Sequence, residues 1–219
     1  MKNYTNIIFD LDGTMVDSVV GITNSIIYAL QKYDIEIPNE DELKKFIGPP
    51  LIDSFQELYG FSREEAMTAF EYYRDYYRAK GIFECSVFPG IEDLLKSLKE
   101  NGKNLMVATA KVEQYANIVL EHFGLTEYFT CVAGSNLDGT RAHKDEIILS
   151  VLERCRITDR EHTLMIGDRM HDILGAKYAS IDSIGVLFGY GTKEELEDAG
   201  ADIIAASVDD LKTILSPQV

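Results

Sequence analysis

The chain has 219 residues, 46 % of them hydrophobic and 26 % charged, which is the balance of a globular protein rather than a long disordered one. Thirty-seven acidic side chains against 21 basic ones give a formal net charge of −16. That field disfavours nonspecific binding to nucleic-acid backbones and anionic lipid, so an anionic substrate needs local cationic help from a metal or a few placed lysines.

Residues 5–9 are too short for a helix and rich in isoleucine, and they predict a strand buried on both faces. From 18 to 83 the pattern is helical almost throughout. Breakers at Ile37-Pro38-Asn39, Gly48-Pro49-Pro50 and Gly60 predict four helices there. The aromatic-rich run from Phe70 has helical spacing and is expected to pack that bundle. Beyond Val87-Phe88-Pro89-Gly90 the pattern alternates. Strands are expected at 104–109, 129–134, 162–168 and 182–189, with a weaker one at 201–205. Helices are expected at 91–101, 112–123, 144–154 and 170–178. Strands alternating with helices are βαβ units. The expected fold is therefore α/β, a doubly wound parallel sheet with a small α-helical domain inserted after its first strand. The expected boundaries are 1–16 and 84–219 for the α/β core and 17–83 for the insertion.

No segment approaches the ~20 consecutive apolar residues of a membrane span. The first ten residues carry no apolar run behind a basic start. Cys85, Cys131 and Cys155 show no CxxC spacing and are expected to be scattered reduced thiols. The expectation is a cytoplasmic protein, monomeric or a weak homodimer, with neither a nucleic-acid polymer nor a membrane as partner.

Open parallel sheets bind ligands at the carboxyl ends of their strands, which directs attention to the residues found there. The first strand ends in Asp10-Leu11-Asp12-Gly13-Thr14 and the second in Thr109. Lys144 follows the third strand at the start of a helix, and the fourth ends in Gly167-Asp168-Arg169-Met170-His171-Asp172. Each piece alone has a bland explanation. Asp-Gly is a turn signal, Thr109 can cap a helix, Lys144 can be a solvated lysine, and Asp168 and Asp172 can be first-turn acids. Unrelated turn signals would not fall in order at successive strand ends. Lys111 and Arg141 lie nearby in sequence and read as solvated surface residues or minor aids.

This ordered set resembles the four motifs of the haloacid dehalogenase superfamily of phosphatases, and the resemblance covers essentially the whole chain. The helical insertion is similar to that family's type-1 cap on a Rossmann-like core. Within the family the chain is similar to phosphoglycolate phosphatases and to a 5′-nucleotidase-like branch. The segments Phe46-Ile47-Gly48-Pro49-Pro50-Leu51 and Tyr72-Tyr73-Arg74 to Phe88-Pro89-Gly90 point towards the latter.

The resemblance implies a Mg²⁺-dependent hydrolase of small phosphorylated metabolites that works through an aspartyl-phosphate. Asp10 would be the nucleophile and Asp12 the general acid and base. Thr109 would donate to a phosphoryl oxygen, and Lys144 would offset its charge. Gly13, Thr14 and Ala110 are expected beside the phosphate, although relatives often carry a small polar residue at the position of Ala110. The metal would be held by Asp10, Asp12 through its backbone carbonyl, Asp168 and Asp172, the last directly or through water. All-oxygen donors without a histidine cluster favour Mg²⁺ over zinc.

Asp17, Lys45, 48–51, Arg74 and Arg78 are the candidates for setting specificity. The presence of Asp12 separates the chain from dehalogenases and phosphonate hydrolases. A sugar phosphomutase of the same family stays open as the alternative. A receiver-type Mg²⁺- and phosphate-binding regulatory domain is the non-enzymatic one.

Overall fold

The computed structural model describes residues 2–37 and 39–216, so the expected breaker at Pro38 lies outside the described residues. They form two units, 1–16 with 87–219, and 17–86.

The first unit starts with β1 (Asn6–Phe9), and two short strands, β2 (Val16–Asp17) and β3 (Ser86–Val87), pair where the chain leaves and re-enters it. The rest alternates as α5 (Ile91–Glu100), β4 (Asn104–Val112), α6 (Glu113–His122), β5 (Cys131–Ser135), α7 (Lys144–Arg154), β6 (Thr163–Gly167), α8 (Met170–Tyr178), β7 (Asp182–Val186), α9 (Lys193–Ala199), β8 (Ile203–Ala205) and α10 (Val208–Leu215). The sheet is parallel with order β5-β4-β1-β6-β7-β8.

Because β1 is central, both of its faces must be apolar, and Ile7, Ile8 and Phe9 are fully buried. Side chains alternate between the faces. Ile8, Met106, Ala108 and Met165 form one core cluster with Ile147, Ile148, Val151 and Leu152 of α7 and Ala176 of α8. Ile7, Phe9, Leu105, Val107, Leu164 and Ile166 are buried on the opposite side of the same strands. Each such side chain contributes about 1.5–3 kcal/mol on transfer from water. Phe9 is level with Val107 of β4 and Ile166 of β6. This register is what brings Asp10, Thr109 and Asp168 to one edge.

Three departures from the expected elements have local causes. β4 continues past Thr109 to Val112 through a register shift against β5 between Ala108 and Val112. Helices α9 and α10 were not anticipated. Both are short, and they are initiated by Thr192 and Ser207, whose side chains accept from Glu195 N and Asp210 N. The second crossing between the units falls between Ser86 and Val87, not at 83/84. Glu84 accounts for the shift. Its backbone carbonyl accepts from Gly21 N, and its carboxylate accepts from Asn24 and Tyr76, which anchors it among the helices.

Among its described residues the second unit holds four α-helices, α1 (Val19–Gln31), α2 (Glu40–Lys44), α3 (Leu51–Tyr59) and α4 (Arg63–Ala79), followed by a 3₁₀ turn, Gly81–Phe83. Ser62 and Glu65 cap α4 reciprocally. The tyrosine stripe of α4 packs the bundle: Tyr73 and Tyr77 are buried and stacked, with centroids 5.4 Å apart. Phe46, Phe55 and Phe61 form an adjoining aromatic cluster. Arg74 pairs with Glu71 at 2.6 Å and lies over Phe70, and Arg78 also reaches Glu71.

Candidate active site

Asp10 follows the last residue of β1, and its N–H donates to Ile166 O, which continues the ladder one step. The chain then turns sharply. Met15 and Val16 both donate their N–H to Leu11 O, and Gly13 N donates to Val16 O. Gly13 has φ +82°, and a Cβ there would lie 2.3 Å from Asp168 Oδ2, so the loop can be seated on Asp168 only by glycine.

Asp10, Asp168 and Asp172 present carboxylate oxygens that all lie within 4.8 Å of one another, and all three residues are buried. Asp168 Oδ1 accepts from Thr14 Oγ1 at 3.2 Å and Asp168 Oδ2 accepts from Tyr190 N at 2.8 Å. Asp172 Oδ2 accepts from Arg169 N at 3.1 Å. Lys144 opens α7, and its ammonium lies 2.8 Å from Asp10 Oδ1 and 2.7 Å from Asp172 Oδ1. It also donates to Ala108 O at 3.1 Å. The ammonium therefore ion-pairs with both carboxylates.

The electrostatics follow from charge count. Three carboxylates against one ammonium leave an excess of two negative charges when all are ionised. Burial pushes the Asp10 carboxyl up to about 7, with Asp172 adding to the rise and Lys144 opposing it. Burial also lifts Asp168 well above the ordinary carboxylate value, reinforced by Asp172 and Asp10. For Lys144 burial acts the other way, but Asp10 and Asp172 outweigh it and hold the ammonium above its usual value. A raised acid beside a raised base is consistent, because one cation cannot satisfy three buried anions.

These residues fit a hard divalent cation. The donors are all oxygens gathered within 4.8 Å, and the charge excess equals that of the ion.

The other expected residues are placed as follows. Asp12 stands outside the carboxylate trio, with its Oδ2 3.0 Å from Lys111 Nζ. Thr109 is buried, and its Oγ1 accepts from Lys111 N at 3.2 Å. Thr14 is fully buried with its hydroxyl on Asp168, and the Gly13 N–H is engaged by Val16, so both brace the loop from within. Ala110 is half-buried and brings no polar side chain.

Lys111 is not a solvated lysine, since its side chain is 5 % exposed and faces Asp12. Arg141 joins Glu113 and Gly134 O instead of Asp10, Asp168 or Asp172. The reading of the sequence missed the segment after β7. Tyr190 N holds Asp168, while a Cβ at Gly189 would lie 2.2 Å from Gly13 O and 2.4 Å from Asp168 Cβ. The paired glycines of Gly189-Tyr190-Gly191, at the carboxyl end of a strand, were the available signal.

Residues 7–186 match the family described as haloacid dehalogenase-like hydrolase. A 5′-nucleotidase of Pseudomonas aeruginosa is 45 % identical over 193 residues, covering 88 % of this chain and 87 % of that protein. The tyrosine-protein kinase PtkA of Mycobacterium tuberculosis is 37 % identical over 212 residues, covering 95 % of this chain and 72 % of that protein. The crystal structure of a predicted phosphatase from Clostridium acetobutylicum superposes with a TM-score of 0.95 at 46 % identity, covering 98 % of this chain and 99 % of that one.

Proposed function

The chain belongs to the haloacid dehalogenase-like hydrolase family as a phosphatase, and we propose that it hydrolyses small phosphomonoesters with Mg²⁺ through an aspartyl-phosphate on Asp10. One observation carries this reading: Asp10, Asp168 and Asp172 are buried together around Lys144 at the carboxyl edge of the sheet.

Asp10, Asp168 and Asp172, with the main-chain carbonyl of Asp12, would hold the ion. When bound, Mg²⁺ supplies positive charge that balances these carboxylates and the phosphoryl oxygens. An Asp10 carboxylate oxygen forms a bond to phosphorus as the ester P–O bond breaks. Asp12 gives its proton to the departing oxygen. It then takes one from the water that attacks phosphorus, which releases inorganic phosphate and restores Asp10. Thr109 donates its hydroxyl hydrogen to a phosphoryl oxygen, and Lys144 offsets charge that persists through both steps.

The helical unit is the part of the chain we expect to set substrate identity. Nucleoside 5′-monophosphates and 2-phosphoglycolate are the substrates to try first. The former is supported by the similarity to a 5′-nucleotidase over 88 % of the chain. We place the protein in the cytoplasm as a monomer or weak homodimer, with neither nucleic-acid polymer nor membrane as partner. The charge of −16 disfavours nucleic-acid and anionic-lipid partners, and no helix among the described residues is long and apolar enough to cross a membrane.

The test is release of inorganic phosphate from a phosphomonoester panel, with and without Mg²⁺, for the wild type and Asp10→Asn. Mg²⁺-dependent release that Asp10→Asn abolishes is expected. Full activity in that variant would overturn the nucleophile. Interconversion of sugar phosphates without release would make the protein a mutase, and net transfer from ATP to tyrosine would make it a kinase.

A further inference from the structure

We propose that Lys111 is a positioning residue for leaving-group protonation, its ammonium holding one oxygen of the Asp12 carboxyl so that the other meets the departing oxygen. The inference rests on the hydrolase reading and extends it to a residue outside the expected set.

Lys111 lies two residues beyond Thr109, inside the stretch where β4 shifts register against β5. The one residue makes two connections. Its backbone N–H donates to Thr109 Oγ1 at 3.2 Å, which uses a lone pair of that hydroxyl and leaves its hydrogen to donate. Its Nζ lies 3.0 Å from Asp12 Oδ2. An exposed pair at this distance would be mobile and would hold little. Here the side chains are 5 % and 13 % exposed, so water competes weakly and the contact restrains the Asp12 side chain.

The backbone of Asp12 is already fixed. The turn around it is closed by Leu11 O, which accepts from Met15 and Val16, and by the Gly13–Val16 bond. The Lys111 ammonium contacts the remaining mobile part, the side chain, at Oδ2. Asp12 is thereby kept apart from the trio of Asp10, Asp168 and Asp172. In the transfer step the Asp10 O–P bond forms and the ester P–O bond breaks, while the proton carried on Asp12 Oδ1, with Oδ2 accepting from Lys111, passes to the leaving oxygen.

The test compares kcat/KM, which reports on departure of the leaving group, for two esters hydrolysed by the full chain with Mg²⁺. One is p-nitrophenyl phosphate, whose leaving oxygen needs no proton. The other is AMP or 2-phosphoglycolate, whichever the wild type hydrolyses, whose alkoxide does need one. Lys111→Met is expected to lower kcat/KM about 100-fold on the alkyl ester and less than about tenfold on the aryl ester. In an Asp12→Asn background the same substitution should change the alkyl rate by less than about twofold, since it acts through Asp12.

Equal losses on the two esters would instead make Lys111 a direct phosphate contact and overturn the proposal, as would a full further loss in the Asp12→Asn background. If Lys111→Met does not fold, Lys111→Gln is scored by the same criteria. Failure of both to fold would make the pair structural and also overturn the proposal. A wild type that hydrolyses neither ester, or an unimpaired Asp10→Asn, would instead sink the hydrolase reading and this inference with it.

Discussion

The Lys144 ammonium lies 2.7 Å from Asp172 Oδ1, so the first residue of α7 is neutralised by the third residue of α8. A cation at a helix N-terminus faces the positive end of the dipole and is unfavourable there. The acid of the neighbouring helix, favoured at its own N-terminus, compensates, and Asp10 closes the triangle at 2.8 Å.

Removing that cation strands buried anions. Lys144→Met is expected to lower the unfolding free energy of the ion-free protein by about 3–5 kcal/mol at pH 8. The loss should be smaller at pH 5, where Asp10 can take up a proton. Urea unfolding in the presence of a chelator measures both. A loss no larger at pH 8 than at pH 5 would contradict the charge balance described above.

The raised Asp10 carboxyl fixes the sign of the pH dependence. Its folded value of about 7 lies above the ordinary 3.8, so the native state holds a proton that the unfolded chain has lost between those limits. Stability of the ion-free protein therefore falls as pH rises from about 4 to about 7, by a total on the order of 4 kcal/mol for this group. Asp168, raised by the same burial, acts in the same direction. Saturating Mg²⁺ should flatten the slope by binding the ionised form. A chelated protein that grows steadily more stable over this window would refute the argument.

Asp10→Asn removes the charge that burial disfavours. Without Mg²⁺ at pH 8 this variant is expected to melt above the wild type, with Mg²⁺ stabilising it less than it stabilises the wild type. Thermal melts with and without the ion test this. A lower melting temperature than the wild type in chelator would count against a strained Asp10.

Gly189→Ala tests the segment that the sequence reading missed. The added Cβ would meet Gly13 O at 2.2 Å and Asp168 Cβ at 2.4 Å, and one of the two must move. Displacing a ligand's support typically weakens metal binding by about 10–100-fold. Calorimetric Mg²⁺ titration of the folded variant should show that loss, and unchanged affinity would mean that the loop does not support Asp168.

Much of the fold was readable before any coordinates, because it rests on periodicity and on strand ends. Apolar runs too short for helices marked β1 and β6, whose burial on both faces permits no polar alternation. Helices α7 and α8 begin and end as their patterns implied. Helices α9 and α10 escaped because their apolar faces are narrow, with Leu196 and Ala199 the only buried side chains of α9. The boundary at Ser86 escaped because Glu84, a charged residue of no evident pattern, is held by Gly21 and Asn24, far off in sequence, and by Tyr76.

The sequence by itself determined which chemical groups reach the carboxyl edge of the sheet. That depends on local patterns, since a buried strand must end where a polar residue begins. Only the tertiary structure decided how those groups are apportioned: Lys144 to Asp10 and Asp172, Lys111 to Asp12, Thr14 and Tyr190 to Asp168. A lysine reads the same in sequence whether it is solvated or buried beside a carboxylate. Its partner is fixed by strand register and helix packing, which join residues as far apart in the chain as Thr14 and Asp168.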